Sequence, residues 1–136
     1  KMWKELLENQ VLISSVIGWT VAQVLKTIID CALNKSFNAE RLTGSGGMPS
    51  SHSATVCALT MSAALCYGLG SFEFAVSFVV AMVVMTENPF KLKLNELNAE
   101  IVQETLKEYV GHTPLQVVAG AILGIIIALL VNLQYV

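Results

Sequence analysis

Long apolar runs separated by short polar stretches dominate this chain, and several are long enough to cross a bilayer as helices, for which about 20 residues are needed. The first runs from Val11 to Leu33. Towards its far end Gln23, Lys26 and Asp30 recur at intervals of three and four, so they share one helical face. That stripe would be costly against lipid and is expected to face protein or a wet cavity. A loop from Asn34 to Met48 follows, carrying Lys35, Glu40, Arg41 and the turn-forming Gly44, Ser45, Gly46 and Gly47. The second run, 49–68, opens on Pro49, read as the first helical position, where a missing N–H costs nothing. Gly68-Leu69-Gly70-Ser71 then turns the chain into a third run, 72–85. From Thr86 to Tyr109 the chain is polar and acidic, with Leu94, Leu97, Ile101 and Leu106 at roughly helical spacing, which predicts an amphipathic helix outside the hydrocarbon. Gly111-His112-Thr113-Pro114 opens a fourth run, 114–133, again a hydroxyl followed by proline.

The expected fold is therefore all-α. It is a single membrane-embedded domain, 1–136, of about four transmembrane helices plus one interfacial helix. Composition agrees: 54% of residues are apolar and only 13% charged, and mean hydropathy is +0.64. A net charge of −2 without a basic stripe argues against nucleic acid as a partner. Cys31, Cys57 and Cys66 lack CxxC spacing and lie in apolar segments, where small buried hydrophobes are expected. The first apolar run is too long, and too closely followed by Gln23 and Lys26 within it, to read as a cleavable signal peptide.

Four spans place the end of the first, the start of the second, the end of the third and the start of the fourth on one side. Lys26, Arg41, His52 and His112 all fall there, so the chain's two histidines meet at one membrane face, each at a helix start. Lys35, Arg41, Lys91, Lys93 and Lys107 on that side outnumber Lys1 and Lys4 on the other. By the positive-inside rule, this integral membrane protein has its site on the cytoplasmic face, with dual topology left open.

What these residues could do together is specific. Two helix N-termini supply free N–H groups and a positive dipole end for an anion. Gly44, Gly46 and Gly47 allow close backbone approach, with Ser50 and Ser51 beside them. Lys26 and Arg41 can neutralise charge, and His52 and His112 can act as acid or nucleophile. Phosphoryl transfer to water, without metal or cofactor, is the expected chemistry.

Gly46-Gly-Met-Pro-Ser-Ser-His-Ser-Ala54, followed some 60 residues later by Gly111-His-Thr-Pro-Leu-Gln-Val-Val-Ala-Gly120, resembles the divergent branch of the type 2 phosphatidic acid phosphatases, relatives of vanadium-dependent haloperoxidases. The likeness covers most of the chain, including Ala22 to Lys26. It implies a lipid phosphate or pyrophosphate as substrate. On that resemblance Lys26 and Arg41 match the first motif's phosphate-binding cations, Arg41 at a longer separation than usual. Pro49-Ser50-Ser51-His52 matches a Pro-Ser-Gly-His motif whose histidine protonates the leaving group, and His112 matches the histidine that becomes phosphohistidine. Gly46, Gly47, Ser50 and Ser51 would cradle the phosphate.

Two departures stand out. Gln116 occupies the place of an aspartate that would orient and charge-stabilise the nucleophile; an amide can orient it only. Lys107 is the nearest cation upstream of His112, where the motif has arginine. Members of the divergent branch also resemble one another in an Asp-Ala-x-Gly-Val-Arg-Arg-like segment after the third span. Here Met85 passes directly to Thr86-Glu87-Asn88-Pro89, as though a stretch of the site were omitted.

Other readings remain beside this one. Lys26 could only snorkel to headgroups and Arg41 could only set topology. A non-catalytic lipid-phosphate-binding or scaffold protein would keep the same pocket, and Gln116 favours it. Halide oxidation with vanadate fits a membrane-embedded site poorly. Gly120 and Gly124, continued by Ala128, permit close helix contact, either within the monomer or in a homodimer. Glu96, Glu100, Glu104 and Glu108 read as a solvated face and not as metal ligands.

Overall fold

A computed structural model describes residues 1–37, 39, 47–98 and 114–134, with 87–98 described by backbone alone. All regular structure among them is helical: α1 (Met2–Leu7), α2 (Gln10–Asn34), α3 (Ser51–Tyr67), α4 (Phe72–Asn98) and α5 (Pro114–Leu133). The short α1 was not foreseen.

Local chemistry sets the ends. Asn9 Oδ1 accepts from the Leu12 N–H at 3.1 Å and starts α2, which stops where Lys35 turns to the left-handed region at φ 52°. Gly68, at φ 89°, ends α3, and Ser71 Oγ accepts from the Phe74 N–H at 3.2 Å to begin α4. Pro49 is not the first helical residue of α3. Ser50 takes the cap instead, its Oγ accepting from the Ser53 N–H at 3.3 Å, and Pro49 stands one position outside it. Removing that cap in Ser50→Ala is expected to cost about 1 kcal/mol, read as a lowered melting temperature in detergent that Ser50→Asn largely restores.

The third helix also departs from expectation. In place of a break near Met85 and a separate amphipathic helix, α4 runs unbroken to Asn98, through Pro89. Thr86 to Glu87 offers no glycine to stop it, and the following Lys91-Leu92-Lys93-Leu94 are strong helix formers. Residues 99–108, with three of the four glutamates of the acidic stretch, lie outside the described residues.

α3 is the hub, packing against α2, α4 and α5, while α2 also meets α5. Gly18 of α2 faces Ala54 and Ala58, and Thr60 Oγ1 donates to the Ser77 carbonyl of α4 at 3.0 Å. Gly120 and Gly124 of α5 face Ser50, Ser53, Ala54 and Ala58. These contacts run α2 and α4 antiparallel to α3, and α5 parallel to it. The end of α2 and the starts of α3 and α5 therefore gather at one end of the bundle. The glycines thought able to serve a homodimer are buried within the chain against α3.

The interior is inverted relative to a water-soluble core. Among the described residues, the largest side chains fully buried are Lys26, Ser14, Ser50, Ser51, Ser53 and Ser62. Leucines, isoleucines, valines and phenylalanines instead cover the outside of α2, α4 and α5. Small and hydroxyl-bearing residues inside, with large apolar ones outside, is how helices pack when the solvent is lipid. α2 and α5 are long and apolar enough to cross a membrane, while the apolar part of α4, Phe72–Thr86, is shorter.

Hydroxyls are satisfied locally or across helices. Ser15, Thr20 and Thr27 donate to carbonyls one turn back, at 2.8, 2.8 and 2.9 Å. At the end of the bundle away from the loop, Ser62 Oγ lies 3.2 Å from Ser14 Oγ and accepts from Asn132 Nδ2 at 3.0 Å, joining three helices. Cys66, expected to be buried, is exposed and donates to Asn132 Oδ1 at 3.2 Å. Cys57 is buried as expected and lies 3.7 Å, sulfur to sulfur, from Met85.

Candidate functional site

The loop between α2 and α3 brings the polar stripe of α2 and the serines of α3 into one place. Lys26 is 2% exposed. Its aliphatic stem lies beneath Gly47, where an added Cβ would stand 3.0 Å from Cγ and 3.3 Å from Cδ. Glycine is required there twice over: by that approach, and by its φ of +89°. Lys26 is thus covered by the loop and does not reach the bundle surface as a snorkelling lysine would. Gln23, one turn deeper, is also buried, and Asp30 is half-buried, its Oδ1 accepting from Asn34 Nδ2 at 2.9 Å. The stripe faces protein, as its spacing predicted.

Ser50 and Ser51 are fully buried at the start of α3. The Ser50 N–H donates to the Gln116 carbonyl at 3.1 Å, which pins the start of α3 to the first turn of α5. That bond uses the main chain of Gln116; its side chain is half-buried. The register is fixed further by Gly120, whose added Cβ would collide with the Ser50 carbonyl oxygen. His52 differs from its neighbours: it points outward and is exposed, at the rim of the cradle.

The structure therefore assembles Lys26, Gly47, Ser50, Ser51 and the first turn of α5, with His52 at the edge. Arg41, Gly46 and His112 lie outside the described residues. Sequence reasoning did not find two buried polar atoms without a hydrogen-bond partner, Gln23 Oε1 and Ser53 Oγ. Their signal was available in part, since Gln23 shares the Lys26 face. A start of helix, a glycine against a lysine stem and three buried serines make a site suited to an anion at the end of an apolar bundle.

Comparison with known proteins settles the family. Residues 7–127 match the model described as the divergent PAP2 family. The chain belongs to the divergent PAP2 family. It is also 34% identical over 150 residues to a Bacillus subtilis (strain 168) protein described as the uncharacterized membrane protein YuiD, covering 92% of this chain and 95% of the relative. Since 92% of 136 residues is about 125, some 25 of those 150 aligned positions have no counterpart here. No solved structure matches. The family match spans the buried stripe of α2, the serine-rich start of α3 and most of α5, the parts of the divergent PAP2 chain that form the cradle.

Proposed function

We propose that this protein is a membrane-embedded phosphatase that removes phosphate from a phosphorylated lipid, or cleaves a lipid pyrophosphate, at the cytoplasmic face. The observation that carries the reading is the buried Lys26 beneath Gly47, a cation held against the loop that opens an anion-binding helix start. Lys26, Gly47, Ser50 and Ser51 hold the phosphoryl oxygens, with Gly46 and Arg41 completing the cradle from the same loop.

The reaction needs no metal. An imidazole nitrogen of His112 attacks phosphorus, a P–N bond forms and the bond from phosphorus to the lipid oxygen breaks. His52, at the rim, gives its proton to that leaving oxygen. His52 then takes a proton from water as the water's oxygen attacks phosphorus, releasing phosphate and restoring His112. Gln116 orients the His112 ring without supplying the negative charge an aspartate would.

Rapid quenching in alkaline detergent after mixing with radiolabelled phosphatidic acid tests this. Purified protein in vesicles is expected to release phosphate and to carry a base-stable, acid-labile phosphoryl group on the peptide containing His112. Phosphatidic acid binding with neither phosphate release nor labelling would overturn catalysis. It would support the second reading, a non-catalytic lipid-phosphate-binding protein. Gln116 favours that reading.

A further inference from the structure

α1 (Met2–Leu7) takes no part in the bundle interior: none of its residues is buried, and its contacts are with the helix that follows it. Its side chains are segregated all the same. At 3.6 residues per turn, Met2, Leu6, Trp3 and Leu7 occupy one continuous arc of roughly 140°, while Lys4, Glu8 and Glu5 fill the opposite one. Lys4 and Glu8 pair along that polar side at 3.9 Å. The four apolar side chains are between 47% and 72% exposed. An open apolar face on a helix charged along its other side suits a boundary between water and hydrocarbon, and neither phase alone.

The place of α1 in the chain puts it at such a boundary. Asn9 is extended, at φ −76° and ψ 94°, so α1 does not continue into α2. α2 is long and apolar enough to cross a membrane, and it begins at Gln10. Glu8 and Asn9 together reach at most about 7 Å, which keeps α1 beside the start of that span. The same end of the bundle carries a second sign of a headgroup level. Tyr67 closes α3 there and Phe72 opens α4, both exposed, as aromatic residues are at membrane interfaces.

We infer that α1 is an interfacial anchor, lying along the membrane surface in the leaflet opposite the cradle. Met2, Trp3, Leu6 and Leu7 enter the acyl boundary, and Lys4, Glu5 and Glu8 stay in water. The partner is a lipid surface recognised by its apolar boundary and not by its charge, because Lys1 and Lys4 are balanced by Glu5 and Glu8. The anchor sets depth. α2 has 25 residues, roughly 37 Å of helix against about 30 Å of hydrocarbon, so length alone leaves it free to slide. Held at Gln10, it puts Lys26 roughly 24 Å further on, about 6 Å short of the far boundary. None of this depends on what chemistry the loop performs.

The chain's two tryptophans, Trp3 and Trp19, provide the test. Trp19 is exposed on α2 and stands roughly 14 Å beyond Gln10, close to the midplane, so it is an internal depth standard. Trp19→Phe and Trp3→Phe each leave one reporter in the full chain, in phosphatidylcholine vesicles brominated either near the headgroup or near the methyl end of the acyl chains. Shallow bromines should quench Trp3 about twofold or more better than deep ones, and Trp19 should show the reverse order. Replacing half of the phosphatidylcholine with phosphatidylglycerol should change neither result. Leu7→Glu, made in Trp19→Phe, should raise quenching of Trp3 by iodide, present on both sides of the membrane, about threefold. Helical circular dichroism should persist, since α1 lends the bundle no buried residue. Trp3 quenched by iodide and by neither bromine would place α1 in water. Trp3 shielded from every quencher would place it against protein. Deeper quenching on added phosphatidylglycerol would make charge the attraction. Each of these three results would overturn the proposal, and none requires Leu7→Glu to fold.

Discussion

Gly124→Leu is expected to prevent α5 from docking and to leave the protein aggregated or proteolytically open in detergent. An added Cβ at Gly124 would collide with the Ala54 carbonyl oxygen and stand 2.9 Å from the Ala58 nitrogen and 3.0 Å from the Ala54 carbonyl carbon. Those are main-chain atoms of α3 and cannot rotate away. The helices must separate, which weakens the Ser50–Gln116 bond and the Asn132–Ser62 bond together. Overpacking typically costs about 1–3 kcal/mol, and a clash against backbone along a whole helix pair belongs above that range. The same geometry ranks other glycines. Gly18→Ala, 3.1 Å from Ala58 Cβ and 3.2 Å from the Ala54 carbonyl oxygen, should be milder. Gly70→Ala, with nothing within 4 Å, should be close to neutral. Thermal aggregation midpoints of the three variants check the order; equal midpoints would contradict this account of how the helices pack.

The ranking also shows what could be read in the sequence. Spacing of Gly120 and Gly124 announces a close helix contact, but a small-xxx-small pattern carries no address, so packing within the monomer and against a second copy looked equally good. The apolar runs around α2, α3 and α5 were legible because hydrocarbon length and charge-free composition are local properties. The end of α4 was not. Polarity changes sharply at Thr86 and Asn88-Pro89 reads as a turn pair, yet the backbone continues as helix through both. Likewise Ser14, Ser62 and Asn132 are unremarkable singly. They join only because antiparallel α2 and parallel α5 bring residues 48 and 70 positions apart to one point on α3.

For the site, the face shared by Gln23, Lys26 and Asp30 was legible from periodicity. What escaped was the division of labour within Pro49-Ser50-Ser51-His52. Alternation around the first turn of α3 buries Ser50, Ser51 and Ser53 and turns His52 outward. A motif read as a row becomes two surfaces, a buried one of serines and an exposed one that carries the imidazole.

Lys26→Met is expected to lower phosphate release, or binding of phosphatidic acid if the protein does not turn over, by about a hundredfold. Methionine fills the buried space with a side chain of similar length and flexibility, so the packing beneath Gly47 is largely kept. The ammonium is lost, with its charge and its hydrogen bonding. A preorganised cationic or N–H donor to a developing phosphoryl charge is worth roughly 10²–10³ in rate when its site excludes water, and Lys26 at 2% exposure is in such a site. Were Lys26 only a topology or interface residue, Lys26→Met would change neither parameter, and Lys26→Gln would behave like wild type. Were it only a packing residue, methionine would serve as well as lysine. Retained helical circular dichroism with activity or binding reduced in Met and Gln, and partly recovered in Lys26→Arg, would show that the positive charge beneath the loop is what the anion meets.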